Sequence, residues 1–334
     1  MLKIAVGALL LWFVVRKMSP GWQTSKQLIV QLFQSNIHLL ALGVLCFGAV
    51  LLIGIYRWQL LLFAHKIRLT TIDAAKLLFV GHFFSQFMPG GIAGGDIVKS
   101  YYVTNHTDDR KHEAVTTIFI DRIIGTLGLL GVLVIAILAN IGSVGYTKYV
   151  VIVLLFLGVC SLLMLIVFNK RLMKKIWGIT RLADRMPYRE FIARIYNAFH
   201  YYKDHKSVIL LTFIMSVLVH FILAVMTYCV GRGLGLETPF KKYLILVSLV
   251  NFIGSIPVSP LGTVGTLDGA YIFFFEGETV KGSGIPGALA LMVRLIYALW
   301  GVVGLIIWFF MKSQFRAKNQ KTAGKAASGE NLNT

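Results

Sequence analysis

The chain of 334 residues is 57% hydrophobic and only 14% charged, with a mean hydropathy of +0.75. It carries 33 Lys and Arg against 14 Asp and Glu, a formal net charge of +19. A soluble domain has about 25% charged residues and a nucleic-acid binder needs a soluble basic face, so both are excluded, as are a disulfide scaffold and a disordered chain.

The fold class predicted is an all-α integral membrane protein with about six full transmembrane helices and two re-entrant helical hairpins. In chain order, Lys3 leads an apolar stretch to residue 15 that Arg16 and Lys17 end without a small-residue cleavage site, which reads as a retained anchor rather than a signal peptide. Residues 37–56 are apolar for the ~20 positions that a spanning helix needs. Residues 72–103 begin as an apolar helix but are cut by Pro and Gly in GHFFSQFMPGGIAGGD, the first hairpin. Residues 115–139 and 149–168 are again full spans.

Residues 170–206 follow, with ten Lys and Arg interleaved with aromatic and aliphatic residues. Ile192, Ile195, Tyr196 and Phe199 recur there at helical spacing, as in a basic amphipathic helix on an anionic membrane surface. Residues 208–230 span; residues 241–275 form the second broken hairpin, around NFIGSIPVSPLGTVGTLD; residues 286–311 span. Residues 1–315 then make one polytopic domain, and 316–334 a polar, disordered cytoplasmic tail. The three cysteines all lie in apolar runs without ligand spacing, and no metal or cofactor is expected.

With both hairpins re-entrant, 22 of the 33 basic residues fall on one face, in loops 57–76, 99–113 and 170–206 and the tail after 311, and eight on the other. The positive-inside rule places that richer face, and both termini, in the cytoplasm of a multi-pass protein of the cell membrane. The two hairpins then enter from opposite sides, as in an inverted repeat. The sequence carries the repeat too. Pro89, Gly91 and Gly94 match Pro260, Gly262 and Gly265. Asp96 follows the first proline by seven residues and Asp268 the second by eight, and arginines follow at 33 (Arg122) and 34 (Arg294).

Broken helices place N-terminal N–H groups near the bilayer midplane, where glycines let a polar group approach the backbone. Intramembrane charges are functional candidates by default, and Arg294 lies about 12 Å from its helix end. Arginine's planar fork suits a phosphate. The candidate substrate-binding residues are therefore Arg122, Arg294, Asp96, Asp121, Asp268, Gly90, Gly91, Gly94, Gly95, Gly262, Gly265, Ser85 and Gln86, with hairpin breaks at Pro89, Pro257 and Pro260. Two alternatives stay open: structural ion pairs that lock each hairpin to the next helix, and an Asp96 that merely caps. Arg122 has Asp121, Asp96 and Lys99 as neighbours; Arg294 has Asp268 or Glu276. His82, with Ser85 and Gln86 on one helix face, fits either a headgroup cavity or a packing hydrogen bond. His220 reads as packing, and Asp108 and Asp109 as a solvated loop.

The stretch from Ser85 to Asp96, Asp121 and Arg122 with Gly125, and Pro257 through Gly265 resemble the lysylphosphatidylglycerol synthase transmembrane-region family, across roughly residues 1–315. Ser85 and Gln86 stand where that family usually has Asn. After Gly265 the acid is displaced, Gly-Thr-Leu-Asp in place of Gly-x-Glu. The resemblance implies a flippase-like protein that translocates an anionic or aminoacylated phospholipid, or a related polar lipid, between leaflets. It also implies partners among polar lipids and anionic membrane surfaces, with a separate lipid-modifying enzyme as a further partner and no nucleic acid. No aminoacyltransferase domain is expected in the short tail. The alternatives are a membrane transferase of the lysylphosphatidylglycerol synthase or lipid-linked glycosyl type, and a non-catalytic subunit of an envelope-lipid enzyme.

Overall fold

A computed structural model describes residues 29–30, 32–33, 36–88, 91–104, 107, 110–139, 201–202, 205–255, 266–280 and 283–327, with backbone alone from 312 onward. Among the described residues every long element is helical: α1 (Ile37–Ala64), α2 (Thr71–Phe87), α3 (Ile92–Thr104), α4 (Lys111–Ala139), α5 (Lys206–Gly233), α6 (Phe240–Ser255), α7 (Thr266–Glu276) and α8 (Ile285–Ala327). Four are long and apolar enough to cross a membrane: α1, α4, α5 and the Ile285–Met311 part of α8. The apolar segments at 1–15 and 149–168 and most of the basic stretch 170–206 lie outside the described residues.

Among the described residues, a four-part unit of long helix, two short helices and long helix occurs twice. The correspondence extends to the turn between the first two parts. Helices α1 and α5 are both 28 residues long, and six residues separate each from its short neighbour. Both end alike. The amide of Ile67 donates to the Leu62 carbonyl at 3.0 Å and that of Lys66 to Phe63 at 2.8 Å; Leu236 donates to Gly231 at 2.9 Å and Gly235 to Arg232 at 3.1 Å. This is the Schellman hydrogen-bond pattern, which needs a left-handed residue after the helix. Lys66 (φ 56°) and Gly235 (φ 81°) supply it.

Helix α1 packs antiparallel against α5: Arg57 reaches Ser216, Gly43 faces Val230, and the Asn36 amide donates to the Gly233 carbonyl at 3.2 Å. Because α2 leaves from the end of α1 and α6 from the end of α5, the two hairpins start at opposite ends of the frame. The inverted arrangement follows from the packing itself.

Local chemistry sets each hairpin. Thr70 caps α2, its hydroxyl accepting from the Asp73 amide at 3.1 Å. The helix stops at Met88, whose extended backbone (φ −87°, ψ 142°) is what a following proline demands. Gly91 then turns the chain at φ 56°, a conformation that glycine adopts without steric cost. The returning α3 lies so close to α2 that a Cβ on Gly95 would run into the Ser85 hydroxyl and the Gly81 carbonyl oxygen. In the second hairpin Lys242 at the start of α6 pairs with Glu278 just beyond α7 at 2.8 Å, closing its open end. The main core joins α1 and α4 to α8 through Leu51, Leu133, Ala224, Val247, Phe275 and Val293.

Two expectations change here. The first span does not end at residue 56. Residues 58–64 continue α1, and Arg57 is a buried residue of that helix rather than a loop charge. Lys99, counted with the loop before the next span, is buried on α3. Arg57 is tolerated there because Asp121 and Ser216 pair with it; Lys99 lies against the ring of Trp58.

Candidate functional site

Asp96 on α3 and Arg122 on α4 form a two-pronged ion pair. The Arg122 Nε and Nη2 donate to the two carboxylate oxygens at 2.6 Å each. The pair is accessible, with 46% of the arginine side chain and 19% of the aspartate exposed. Its counterpart joins α7 to α8, where the Arg294 Nε donates to Asp268 Oδ1 at 2.7 Å. That second pair is sealed, at 7% and 8% exposure. In both pairs 26 residues separate acid from base. Arg122 lies eleven residues into α4 and Arg294 nine into α8, about 16 and 14 Å from opposite ends of the frame. The hairpin-to-helix pairing expected from the repeat is present, and Asp268 rather than Glu276 is the partner of Arg294.

Asp121, adjacent to Arg122 in sequence, faces the other way. Both its oxygens accept from Arg57, from Nε at 2.8 Å and Nη2 at 3.0 Å, while Arg57 Nη1 donates to the Ser216 hydroxyl at 2.8 Å. This ties α1, α4 and α5 in their buried interior, as buried charges require. Lys99 interacts electrostatically with both Asp96–Arg122 and Asp121–Arg57; it is 5% exposed, its Nζ 3.5 Å from the centre of the Trp58 ring. The Trp58 indole is itself fixed by donating to the Thr117 hydroxyl at 3.0 Å. The first-hairpin end of the molecule thus gathers Arg57, Lys99 and Arg122 around Asp96 and Asp121, three cations to two carboxylates.

Sequence reasoning missed Arg57 and gave Lys99 only as a neighbour of Arg122. A signal for the first exists: six of the seven residues after Arg57 are apolar, so the helix had no reason to stop. A signal for the second is its position three residues after Asp96, on one helical face with it.

The remaining candidates divide. Gly91 and Gly95 shape the first hairpin as described, and Gly94 is buried in its returning limb. The Ser85 hydroxyl donates to the Gly81 carbonyl of its own helix at 2.9 Å, and Gln86 is buried beside the break. His82 meets the Tyr297 carbonyl of α8 at 3.0 Å, and His220 meets the Gly125 carbonyl at 3.1 Å, both packing contacts between helices. Pro89, Gly90, Pro257, Pro260, Gly262 and Gly265 lie outside the described residues, as do Asp108 and Asp109. An open, mostly apolar groove of about 590 Å³, lined by Gln59, Phe63, Arg68, Leu211 and Met215 among others, lies on the flank of α1 and α5 and touches none of the four paired charges.

A family model described as the transmembrane region of lysylphosphatidylglycerol synthase matches residues 1–309. A UPF0104 membrane protein of Pyrococcus horikoshii is 23% identical over 107 residues, an alignment that covers 32% of this chain and 32% of the relative. The second match reaches only about a third of either chain; the first covers nearly all of this one, both hairpins and both aspartate–arginine pairs included. The chain belongs to the lysylphosphatidylglycerol synthase transmembrane-region family of membrane proteins.

Proposed function

We propose that this chain moves an anionic or aminoacylated phospholipid, or a related polar lipid, between the leaflets of the cell membrane. Both hairpins are then re-entrant and both termini cytoplasmic. The observation that carries this reading is the pair of equivalent aspartate–arginine bridges, set at similar depth from opposite ends, one accessible and one sealed. A bidentate guanidinium–carboxylate bridge is the contact that a lipid phosphate can replace, because phosphate presents oxygens of the same spacing and charge. Opening one bridge frees a fork for a headgroup and loosens one hairpin from its helix; the bridge at the other end stays shut. Exchanging which bridge is open is alternating access built on an inverted repeat. The glycine-rich breaks give the headgroup close approach to backbone N–H groups, and the basic stretch 170–206 lies on the anionic cytoplasmic surface.

The test is leaflet exchange of a fluorescent anionic phospholipid in proteoliposomes. Wild type speeds exchange over protein-free vesicles, while Arg122→Ala and Arg294→Ala each abolish the gain. Unchanged exchange in both variants overturns the mechanism. Absence of exchange in wild type, with transfer of a group from a donor onto the lipid, favours a membrane transferase instead.

A further inference from the structure

We infer that Lys99, together with Arg122, forms a binding subsite for a single phosphodiester or phosphate anion at the first-hairpin end. The inference rests on the reading that the chain handles anionic lipids, and it names the group that reads their charge. Arg57 is satisfied by both oxygens of Asp121 and by Ser216, and Arg122 by both oxygens of Asp96. Each carboxylate thus turns both of its oxygens to an arginine, and among the described residues neither is hydrogen-bonded to Lys99. Lys99 is left over. Its ammonium carries three donors, yet among the described residues it makes no hydrogen bond, and it lies over the face of Trp58. A cation–π contact offsets part of the desolvation of a buried ammonium and supplies no acceptor oxygen.

Three cations against two carboxylates leave one positive charge in an apolar frame, with its carrier 95% shielded from solvent. Asp121 and Asp96 are the carboxylates that act on Lys99, but each is already bridged to an arginine, Arg57 or Arg122, that acts on Lys99 in the opposite sense, and a positive charge left unbalanced in a buried group is costly. The missing partner is an anion of unit charge with more than one acceptor oxygen. A phosphodiester fits: one non-bridging oxygen takes the ammonium of Lys99 and the other takes the fork of Arg122 once Asp96 lets go. The accessible Arg122 side chain marks the entry, and Trp58, pinned by Thr117, forms the floor. A lipid headgroup and free phosphate share this chemistry, and the experiment separates them.

The full-length protein in uncharged detergent is melted with increasing dihexanoyl phosphatidylglycerol, with inorganic phosphate at constant ionic strength, and with dihexanoylglycerol, which lacks phosphate. Wild type gains melting temperature with the phospholipid and not with dihexanoylglycerol. A gain with inorganic phosphate of equal size makes the natural ligand a free phosphate, and a much smaller one makes it a lipid headgroup; both keep the subsite. In Lys99→Met the phospholipid binds about tenfold to a hundredfold more weakly, the loss of one charge-assisted contact, while Lys99→Arg stays near wild type. Without ligand, Lys99→Met and Lys99→Gln melt no lower than wild type, because the excess charge is gone. Equal binding in Lys99→Met, an equal shift with dihexanoylglycerol, or ligand-free variants that melt lower or fail to fold each overturn the subsite and make Lys99 a structural strut. Loss of binding in Lys99→Met with no lipid exchange in wild-type vesicles leaves the subsite standing and removes the translocation reading; exchange with unaltered binding does the reverse.

Discussion

Neutralising Asp121 and neutralising Arg57 break the same ion pair, yet they should not cost the same. Asp121→Asn keeps the side-chain volume and leaves Arg57 and Lys99 facing an amide, so the cluster goes from three cations and two carboxylates to three and one. Stranding a buried charge in this way costs about 3–5 kcal/mol. Arg57→Met keeps most of the buried stem and removes two donations to Asp121 and one to Ser216. It also brings the cluster to two cations and two carboxylates, with Lys99 still acting on Asp121. The loss of charge-assisted hydrogen bonds, about 1.5–3 kcal/mol, is partly offset by the removal of the excess charge. The two variants should differ by about 2 kcal/mol, roughly thirtyfold in the unfolding constant. At about 2–4 °C per kcal/mol for a chain of this order of size, Asp121→Asn should melt about 4–8 °C below Arg57→Met in the same detergent. Tryptophan fluorescence on heating reads this directly. If Arg57→Met melts as low as Asp121→Asn, Lys99 is not serving as a reserve counter-charge and the excess positive charge does not govern stability at this end.

Gly95→Ala should separate the limbs of the first hairpin, because the added methyl meets both the Ser85 hydroxyl and the Gly81 carbonyl oxygen. Overpacking of this kind costs about 1–3 kcal/mol, and adding Ser85→Ala should restore little of the melting temperature, since the carbonyl cannot be trimmed. His65, in the turn after α1, stacks on Tyr201 at 4.2 Å between ring centres, and its Nε2 is buried without a hydrogen-bond partner. Burial holds its imidazole below the ordinary value; Glu113 nearby pulls upward, and His205 and Arg110 push further down. The unfolded chain therefore takes up the proton first as pH falls. The stability carried by neutral His65 is complete above the unfolded value of about 6.5 and is lost as pH drops from there toward the folded value. His65→Phe, which keeps the stack, should shrink the fall in melting temperature between pH 7 and pH 5.5; an unchanged slope would place that pH dependence elsewhere.

What the sequence reveals and what it hides follow from how each feature is encoded. The aspartate–arginine pairs are legible because the same two residue types recur at the same spacing inside apolar runs, where charge is expensive enough to be noticed. The correspondence of α1 with α5 is not legible, because it lives in backbone geometry. One turn uses a glycine and the other a lysine to reach the same left-handed conformation, so the pattern repeats while the letters do not. Arg57 escapes for a different reason. A charge near the end of an apolar run reads as the first loop residue, and only the partner on α4, 64 positions later, reveals that the helix continues.

The two halves share one aspartate–arginine bridge each and differ in what surrounds it. Three residues after the acid stands Lys99 in the first half and Tyr271 in the second; just before the arginine stand Asp121 and Val293; and the position on α5 that answers Arg57 is Met226, by the registry of the two matching turns. Tyr271, Val293 and Met226 are all buried and none is charged at neutral pH, so at these positions the second bridge has no counterpart of the cations Arg57 and Lys99 that stand beside the first. A fold that is symmetric in its helices is thus asymmetric in its electrostatics. If an anion exchanges into either bridge as proposed, it would meet the ammonium of Lys99 beside the guanidinium at the first and no matching ammonium at the equivalent position of the second, so its affinity for the two ends would differ. Linkage requires that this difference appear as a bias between the two arrangements of the frame: the anion holds open the end where it binds more tightly. Under the proposed alternating access, Lys99 rather than either of the repeated arginines would set which face of the membrane the occupied protein prefers.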